Sequence, residues 1–542
     1  MTAPVMPDMM LGMSRSMVTM MQFNEMKQDY TNSLQNLEEG TDQYAEASAA
    51  CHQRGAARCV AVANMHRGLY VKAAQFIASL RGGTGDSSGI PRAYTDALSV
   101  FTDHAPHKSA GEIADVLKEA MELGDWPSGA LDGTHSLKSI ETEPIASASL
   151  AQVHRAVLQD GTKLAVKAQY PELRKEMASD FMVFKTMGAQ IKQMAGGYDL
   201  MWVVEDFEKN LHRELDFRLE AASGEQTAKQ LAHLQPQVFV PQVFPELSSD
   251  RVLTMELCEG LVKCNDPKAL GDAGLNVAEC AELICSTFAE MIFVHGRVHA
   301  DPHSGNIYIR AIEGPNGCKQ PQLVILDHGL YHDLAENDVR HNLCKYWKAC
   351  CNKDRQTMTA IGQRFAGALH RFLPLILSPC FVFGGSGVSL KEIISAAKGQ
   401  LPDTIGLKDV ADFIMATRNG GANLIGLLHA LGYTRGLLEN LGFPEDKRIA
   451  CMLKYAYLGD AAAPPAIPRA LSSSEQWCMW WNLALLRVHI HALAPFAGLL
   501  VRYTQLERFP RVGCTMSLLA GFGAIGFGAA FAPRLARLTV KN

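Results

Sequence analysis

Apolar and polar positions repeat with two different periods along this chain, and the changes of period divide it into elements. Residues 41–80 are rich in Ala, Met and Leu and free of proline, which predicts helix. Gly82–Gly89 is rich in glycine and serine and predicts an exposed loop; a second helical run covers Pro91 to Leu123. Around Pro144 the pattern shortens to strands. Val153–Leu158 and Lys163–Gln169 flank Gln159-Asp160-Gly161, an Asp-Gly turn between apolar runs that predicts a β-hairpin. Helical segments follow from Leu173 to Leu234, then a strand pair at Val238–Val243 and Val252–Met255. From Val277 the chain is mostly helical, and Ala461–Arg469, with Pro464, Pro465 and Pro468, reads as a linker to a C-terminal appendage.

That appendage changes the picture. Val512–Pro533 carries no charge, lies between Arg508 and Arg511 on one side and Arg534 and Arg537 on the other, and at ~1.5 Å per residue could cross a ~30 Å hydrocarbon layer. Ala520, Ala524, Gly528 and Ala532 form a small-residue stripe that suits helix packing in lipid. A buried Gly/Ala-rich hairpin is the bland alternative. Leu483–Val501 is also apolar but holds Arg487, His489 and His491, and reads as an amphipathic helix or a distorted second span.

Composition narrows the class. Hydrophobic residues make up 48% and charged ones 20%, which excludes a disordered or fibrous chain. A net charge of −5 without a Lys/Arg run gives no electrostatic reason to expect nucleic acid. The 14 cysteines show no C-x-x-C pair, which suits a reducing compartment; Cys350-Cys351 read as core residues of a helix. The first 26 residues hold Arg15 as their only arginine and lack a secretory apolar block, so targeting stays open.

The chemistry is concentrated in two blocks. His299-Ala300-Asp301-Pro302-His303-Ser304-Gly305-Asn306 spaces an Asp and an Asn as the protein-kinase catalytic loop H-R-D-x-x-x-x-N does, and Asp327-His328-Gly329 follows an apolar strand where kinases keep D-F-G. Phosphoryl transfer needs a carboxylate to orient the nucleophile, and oxygen donors such as Asn306 and Asp327 to hold Mg²⁺ on the phosphates. Upstream, Leu164-Ala165-Val166-Lys167 is close to the V-A-I-K strand whose lysine meets α/β-phosphates. The phosphate-covering loop has its counterpart in Ala146-Ser147-Ala148-Ser149-Leu150-Ala151-Gln152-Val153, with Ala146, Ala148 and Ala151 at the three glycine positions; alanine denies the positive φ that glycine allows, so this loop should be stiffer. Three acidic residues, Glu214, Asp216 and Glu220, are candidates to hold the lysine from a helix. Glu256-Leu257-Cys258-Glu259-Gly260 resembles a hinge between lobes.

Taken together these motifs resemble the UbiB family of atypical kinases, also called aarF-domain-containing kinases. The family's K-x-G-Q, Ala-rich loop, E-x-D and H-x-D-P-H-P-G-N motifs correspond to Lys72-Ala73-Ala74-Gln75, Ala146–Gln152, Glu214-Leu215-Asp216 and His299–Asn306. Asp327–Tyr331 and Met201–Val204 look most like its mitochondrial branch. The resemblance covers residues 60–340 and implies ATP, or another nucleotide, with Mg²⁺ as cofactors. It assigns Lys167 to nucleotide phosphates and pairs it with Glu220. Asp301 takes the catalytic-base position, and Asn306 and Asp327 hold the metal. Ala146, Ser147, Ala148, Ser149, Ala151 and Glu256 contact the nucleotide. Lys72 and Gln75 sit on a helical extension that folds over the site and meets Glu214 and Asp216. Ala74 and Ser304 depart from the family's glycine and proline.

The expected fold is α+β and bilobal, protein-kinase-like, with a helical N-terminal extension over the site and a helical C-terminal region. The expected divisions are an N-terminal segment 1–40, the extension 41–143, a small lobe 144–260, a large lobe 261–460 and a C-terminal region 461–542. Ala300 stands where kinases keep the arginine that reads a phosphorylated activation loop, and no A-P-E follows Asp327, so protein phosphorylation ranks below ATP hydrolysis or phosphorylation of a lipid-like small molecule. The alternative is a nucleotide-binding pseudokinase scaffold at an organelle membrane. The resemblance also points to ubiquinone or isoprenoid-lipid metabolism and to a mitochondrial, alternatively plastid, membrane.

Overall fold

The computed structural model describes residues 8–488 except 39–40, 85–90, 102–107, 124–125, 128–130, 132–134, 149, 195–200, 315–316, 335–337, 368–369, 371–372, 379–423 and 461–469. The Asp160-Gly161 turn forms as expected: Asp160 Oδ1 accepts the Thr162 N–H at 2.8 Å, and Gly161 takes φ 91°, which only glycine adopts cheaply. It joins β2 (Ala151–Leu158) to β3 (Lys163–Gln169), the middle pair of an antiparallel four-stranded sheet whose order is β1-β2-β3-β5. The edge strand β1 (Leu137–Ser147) begins before the expected boundary at 144, so the small lobe starts earlier than the sequence suggested. The other edge, β5 (Val252–Glu256), pairs with β3.

The expected pairing of Val238–Val243 with Val252–Met255 shrinks to one bridge, Val243 to Met255. Val238–Phe239 (β4) instead runs parallel to β9 (Lys319–Ile325) in a second sheet of order β4-β9-β8-β6, with β6 (Val262–Lys263) and β8 (Ile307–Glu313). A short ladder of β7 (Arg297–His299) and β10 (Tyr331–Asp333) frames the catalytic blocks.

Among the described residues, α1 (Asp8–Leu34), α2 (Asp42–His66), α3 (Gly68–Thr84), α4 (Arg92–Leu98) and α5 (Ala110–Met121) precede the small sheet. The sequence assigned no element to the first 40 residues, yet α1 packs on α2 and on α6 (Leu173–Met194), where Arg15 joins Asp180 at 2.9 Å and Glu176 at 3.0 Å. It therefore belongs to the helical extension. After α6 come α7 (Met201–Glu214) and α8 (Phe217–Gln230); α6 and α7 share a core with the sheet through Phe181, Phe207, Leu211, Leu164 and Val166, and α8 meets the opposite face of the sheet through Phe217.

The large lobe continues with α9 (Pro267–Asp272), α10 (Val277–Glu290), a π-helical turn Met291–His295, α11 (Val339–Asn352), α12 (Arg355–Ala366), α13 (Leu373–Leu377), α14 (Leu424–Asn440), α15 (Glu445–Asp460) and α16 (Ser473–Val488). Its core gathers Phe293, Trp347, Leu343, Leu427 and Met452. Cys350 and Cys351 are buried in α11, as expected of core residues. The Val512–Pro533 run and the Ala461–Arg469 linker lie outside the described residues, and among the described residues no helix is long and apolar enough to cross a membrane.

Candidate active site

Period-two alternation along β3 sends Leu164, Val166 and Ala168 into the core beneath α5 and turns Ala165 and Lys167 to the opposite face. On that face the Lys167 ammonium stands 5.1 Å from the Phe217 ring centre and donates to Glu220 Oε1 at 2.7 Å and to Asp327 Oδ2 at 2.8 Å. Of the three acidic candidates, Glu220 is the one that reaches the lysine. Asp216 caps α8, accepting the Arg218 N–H at 3.1 Å, and binds the Arg218 guanidinium at 2.9 Å. Glu214 takes Lys72 of α3, Nζ to Oε2 at 2.5 Å.

The expected meeting of Lys72 and Gln75 with Glu214 and Asp216 is thus half realised. Lys72 reaches Glu214, but Gln75 donates to the Phe101 carbonyl at 2.7 Å and Asp216 stays with Arg218. Gln75 faces the extension's own helices because α3 turns it toward Phe101, which shares a core with Tyr70, Val71 and Ala74.

Charges in this cleft perturb each other in definite directions. Burial works against the Lys167 charge, but Asp327 and Glu220 together raise its pKa well above the ordinary lysine range. Burial opposes the Asp327 charge too, yet Lys167 and the Gly329 N–H (3.0 Å to Oδ1) hold that carboxyl far below the usual range. One ammonium cannot neutralise two carboxylates. Glu220, 4% exposed, is pushed up to about 7 by burial and by the Asp327 charge, against the pull of Lys167. Lys72 follows the same logic: burial lowers its pKa, and Glu214, Asp301 and Asp327 outweigh it to give a net rise.

The raised Glu220 pKa makes the stability of the fold depend on pH. Its unfolded value is near 4.5, so the stabilisation belonging to the protonated form is complete below pH 4.5 and is lost as pH rises through about 7. Glu220→Gln carries no such charge. The thermal midpoint of the variant minus that of the parent should therefore be larger at pH 8 than at pH 5; a difference that does not move with pH would show that burial and the Asp327 charge do not hold the Glu220 pKa up.

A histidine that spacing alone had not singled out ties the two blocks together. His299 Nδ1 accepts the Asp301 N–H at 3.2 Å and Nε2 donates to the Asp327 carbonyl at 2.9 Å. Burial lowers its pKa, keeping it neutral with the proton on Nε2. Asn306 donates its Nδ2 to the Asp301 carbonyl at 3.0 Å, which leaves its Oδ1 for a cation. His303 Nε2 lies 3.5 Å from Asp301 Oδ2. At the D-F-G position, His328 is stacked on Tyr331 and bonded to its hydroxyl at 2.8 Å; burial drives its pKa down to about 3. The helix α8 approaches this imidazole closely at Gly224, where a Cβ would stand 3.3 Å from His328 Cδ2.

The Ala-rich loop connects β1 to β2. Ala146 and Ser147 pair with Val153 and Gln152, and the Ala148 N–H donates to the Ala151 carbonyl at 2.8 Å, closing a tight turn; Ser149 lies outside the described residues. Ala151 is buried with Ala165, Leu253, Met255 and Phe217, an apolar patch on the same face as Lys167. Such a patch suits a flat base, and Phe217 in it was not anticipated. The N–H groups of Glu256 and Leu257 are spent on the Gln242 and Lys163 carbonyls at 2.8 and 3.1 Å, so Glu256 has no N–H left to offer a base edge. The buried Gln152 side chain holds residue 108 from both sides, accepting the Lys108 N–H at 2.8 Å and donating to its carbonyl at 3.0 Å.

Among the described residues no three His, Cys, Asp or Glu side chains form a metal cage. Mg²⁺ binds one or two protein oxygens and takes the rest of its shell from phosphates and water. Asp327 and Asn306 are such donors.

The profile of the ABC1 atypical kinase-like domain matches residues 101–362. AarF domain-containing protein kinase 1 of Xenopus laevis is 33% identical over 351 residues, 65% of this chain and 64% of that protein, so the chain spans under two thirds of that relative's length. ABC1 family protein C10F6.14c of Schizosaccharomyces pombe is 32% identical over 443 residues, 80% of this chain and 78% of that one. Among solved structures, the complex of Rv3197 with erythromycin from Mycobacterium tuberculosis is 22% identical, with a TM-score of 0.42 over 74% of this chain and 99% of that one.

Proposed function

The chain belongs to the ABC1 family of atypical kinase-like proteins, and from that premise we propose that it transfers the γ-phosphoryl group of ATP, with Mg²⁺, to water or to a lipid-like small molecule. The observation that carries this reading is the Lys167 ammonium held at 2.7 Å from Glu220 and 2.8 Å from Asp327. A cation from the small lobe and a carboxylate from the large lobe converge on one point in the cleft, where a triphosphate would lie.

On this reading Lys167 neutralises phosphate charge and Glu220 fixes its position. Asp327 and the Asn306 Oδ1 would hold Mg²⁺, which when bound withdraws charge from the phosphate oxygens. Asp301 orients the attacking hydroxyl and accepts its proton, and the neutral His299 holds the Asp301 and Asp327 backbones in register. The apolar patch around Phe217 takes the base.

Two features favour a small acceptor over a protein. Ala300 precedes Asp301, and Lys72 brings α3 onto Glu214 beside the catalytic loop. We extend the reading to isoprenoid-lipid or ubiquinone metabolism at a mitochondrial membrane, or a plastid one, on the family resemblance alone. The second reading, a nucleotide-binding scaffold, is favoured by the Ala-rich turn, whose Ala148 N–H is already given to Ala151.

Purified full chain with ATP and Mg²⁺ should release phosphate, and Lys167→Ala and Asp301→Asn should each lower the rate by ~10²-fold or more. Tight ATP binding without release by the parent would instead favour the scaffold. Ala148→Gly should tighten ATP binding by a factor of about 3, because glycine lets the backbone approach phosphate. Unchanged affinity would mean that this loop does not cover the nucleotide.

A further inference from the structure

We propose that the outward face of α16 is a bilayer-docking surface that seats in the headgroup zone of a membrane. The orientation of α16 is set by its packed side. Leu483 and Leu486 enter the large-lobe core, Asn482 donates to the Tyr457 hydroxyl at 2.8 Å, and the helix rests on α11 and α15. The opposite side is apolar and open to solvent: Trp477 is 65% exposed, Trp480 60%, Trp481 46% and Leu485 41%.

These positions belong together. At ~100° per residue, Trp480, Ala484, Trp477, Trp481 and Leu485 fan across one continuous arc. No charged residue falls inside the arc, Arg487 lies at its edge, and Glu475 lies on the packed side, bonded to Ser472. Half of the chain's 6 tryptophans are on this helix. The described core tryptophans behave in the usual way, with Trp126 3% and Trp347 0% exposed. At 46–65% exposure and ~150–250 Å² per ring, the three tryptophans present roughly 250–430 Å² of contiguous apolar surface, the size at which a patch on a monomer is often functional.

The residue type and the chain around it identify the occupant. Tryptophan, with an apolar ring and one N–H donor, collects at the lipid–water boundary rather than in hydrocarbon. The chain continues past Val488 through residues 489–542, which include the charge-free Val512–Pro533 flanked by arginines on both sides. An interfacial face on the large lobe, upstream of a charge-free apolar stretch in the same chain, is what a lobe lying against a bilayer requires. Because one side of α16 is committed to the core, the helix lies along the surface and does not span it. The proposal uses none of the nucleotide-site residues and stands apart from the phosphoryl-transfer reading.

The test uses the full chain with phosphatidylcholine vesicles. Co-flotation should fall at least tenfold in the triple variant Trp477→Ser, Trp480→Ser, Trp481→Ser, while the thermal midpoint and Mg·ATP binding stay at the parental values. Lipids brominated near the headgroup should quench the parent's fluorescence more than lipids brominated deep in the chain, and that difference should vanish in the triple variant. Three results would each overturn the assignment. Flotation of the triple variant at the parental level would leave binding to residues 489–542. Vesicle-bound parent without tryptophan quenching would mean the face is covered by the chain itself. Self-association of the parent that the triple variant abolishes would make a second copy the occupant.

Discussion

Asp327→Asn should lower Mg²⁺-dependent ATP turnover by ~10³-fold or more while leaving the fold intact. The side chain has two duties: Oδ2 binds Lys167 at 2.8 Å and Oδ1 accepts the Gly329 N–H at 3.0 Å. The Asp327 backbone carbonyl also takes the His299 proton at 2.9 Å. Asparagine is the same size and can still accept from Gly329, and the backbone bond to His299 is untouched. What disappears is the negative charge, and with it the carboxylate that a divalent cation needs. Lys167 would keep Glu220 as its anchor, and Glu220, freed from the Asp327 charge that helps push it up, should ionise at lower pH. Phosphate release at saturating ATP and Mg²⁺ reads the loss directly. Turnover at the parental rate would remove the enzyme reading altogether.

The largest effect on stability should come from a position far from the nucleotide site. In Gly459→Ala the new methyl would stand 2.0 Å from the Phe293 carbonyl oxygen and 2.6 Å from its carbon. These are backbone atoms of the π-helical turn, so no rotamer change relieves the clash. Arg340 stitches the same two segments, donating to the Phe293 carbonyl at 3.0 Å and to the Gly459 carbonyl. Pushing α15 off that turn would break both bonds and open the core around Phe293 and Trp347. We expect a loss of about 3 kcal/mol or more, at the upper end of what overpacking costs. Urea denaturation followed by tryptophan fluorescence measures it, and a midpoint within error of the parent would show that α15 does not approach this closely.

Local signals in the sequence were the ones that could be read. The hairpin of β2 and β3 was legible because an Asp-Gly turn lay between apolar runs, and the catalytic blocks because residue type and spacing are demanded by the chemistry. The strand β1 was harder to see. Lys138, Ser139, Glu141, Thr142 and Glu143 are all exposed, so only Leu137 and Ile140 mark a buried side. The pairing of β4 with β9 joins Val238 to Leu323 and Phe239 to Val324, a long-range choice that no local pattern encodes. The helix α1 was missed because its anchor, Arg15, finds Glu176 and Asp180 only in the folded chain. The same limit applied within the site. Three acidic residues close in sequence offered no means of telling that Glu214 would take Lys72, Asp216 would cap α8 and Glu220 would reach Lys167.

The helix α3 rests on α6 of the small lobe and on α14 of the large lobe at once. A hinge that carries such a strap cannot gape freely: widening the cleft means shearing one of the two packed seams. Nucleotide exchange should accordingly be slow and set by that breathing, and little ordering should remain to be done when a ligand arrives.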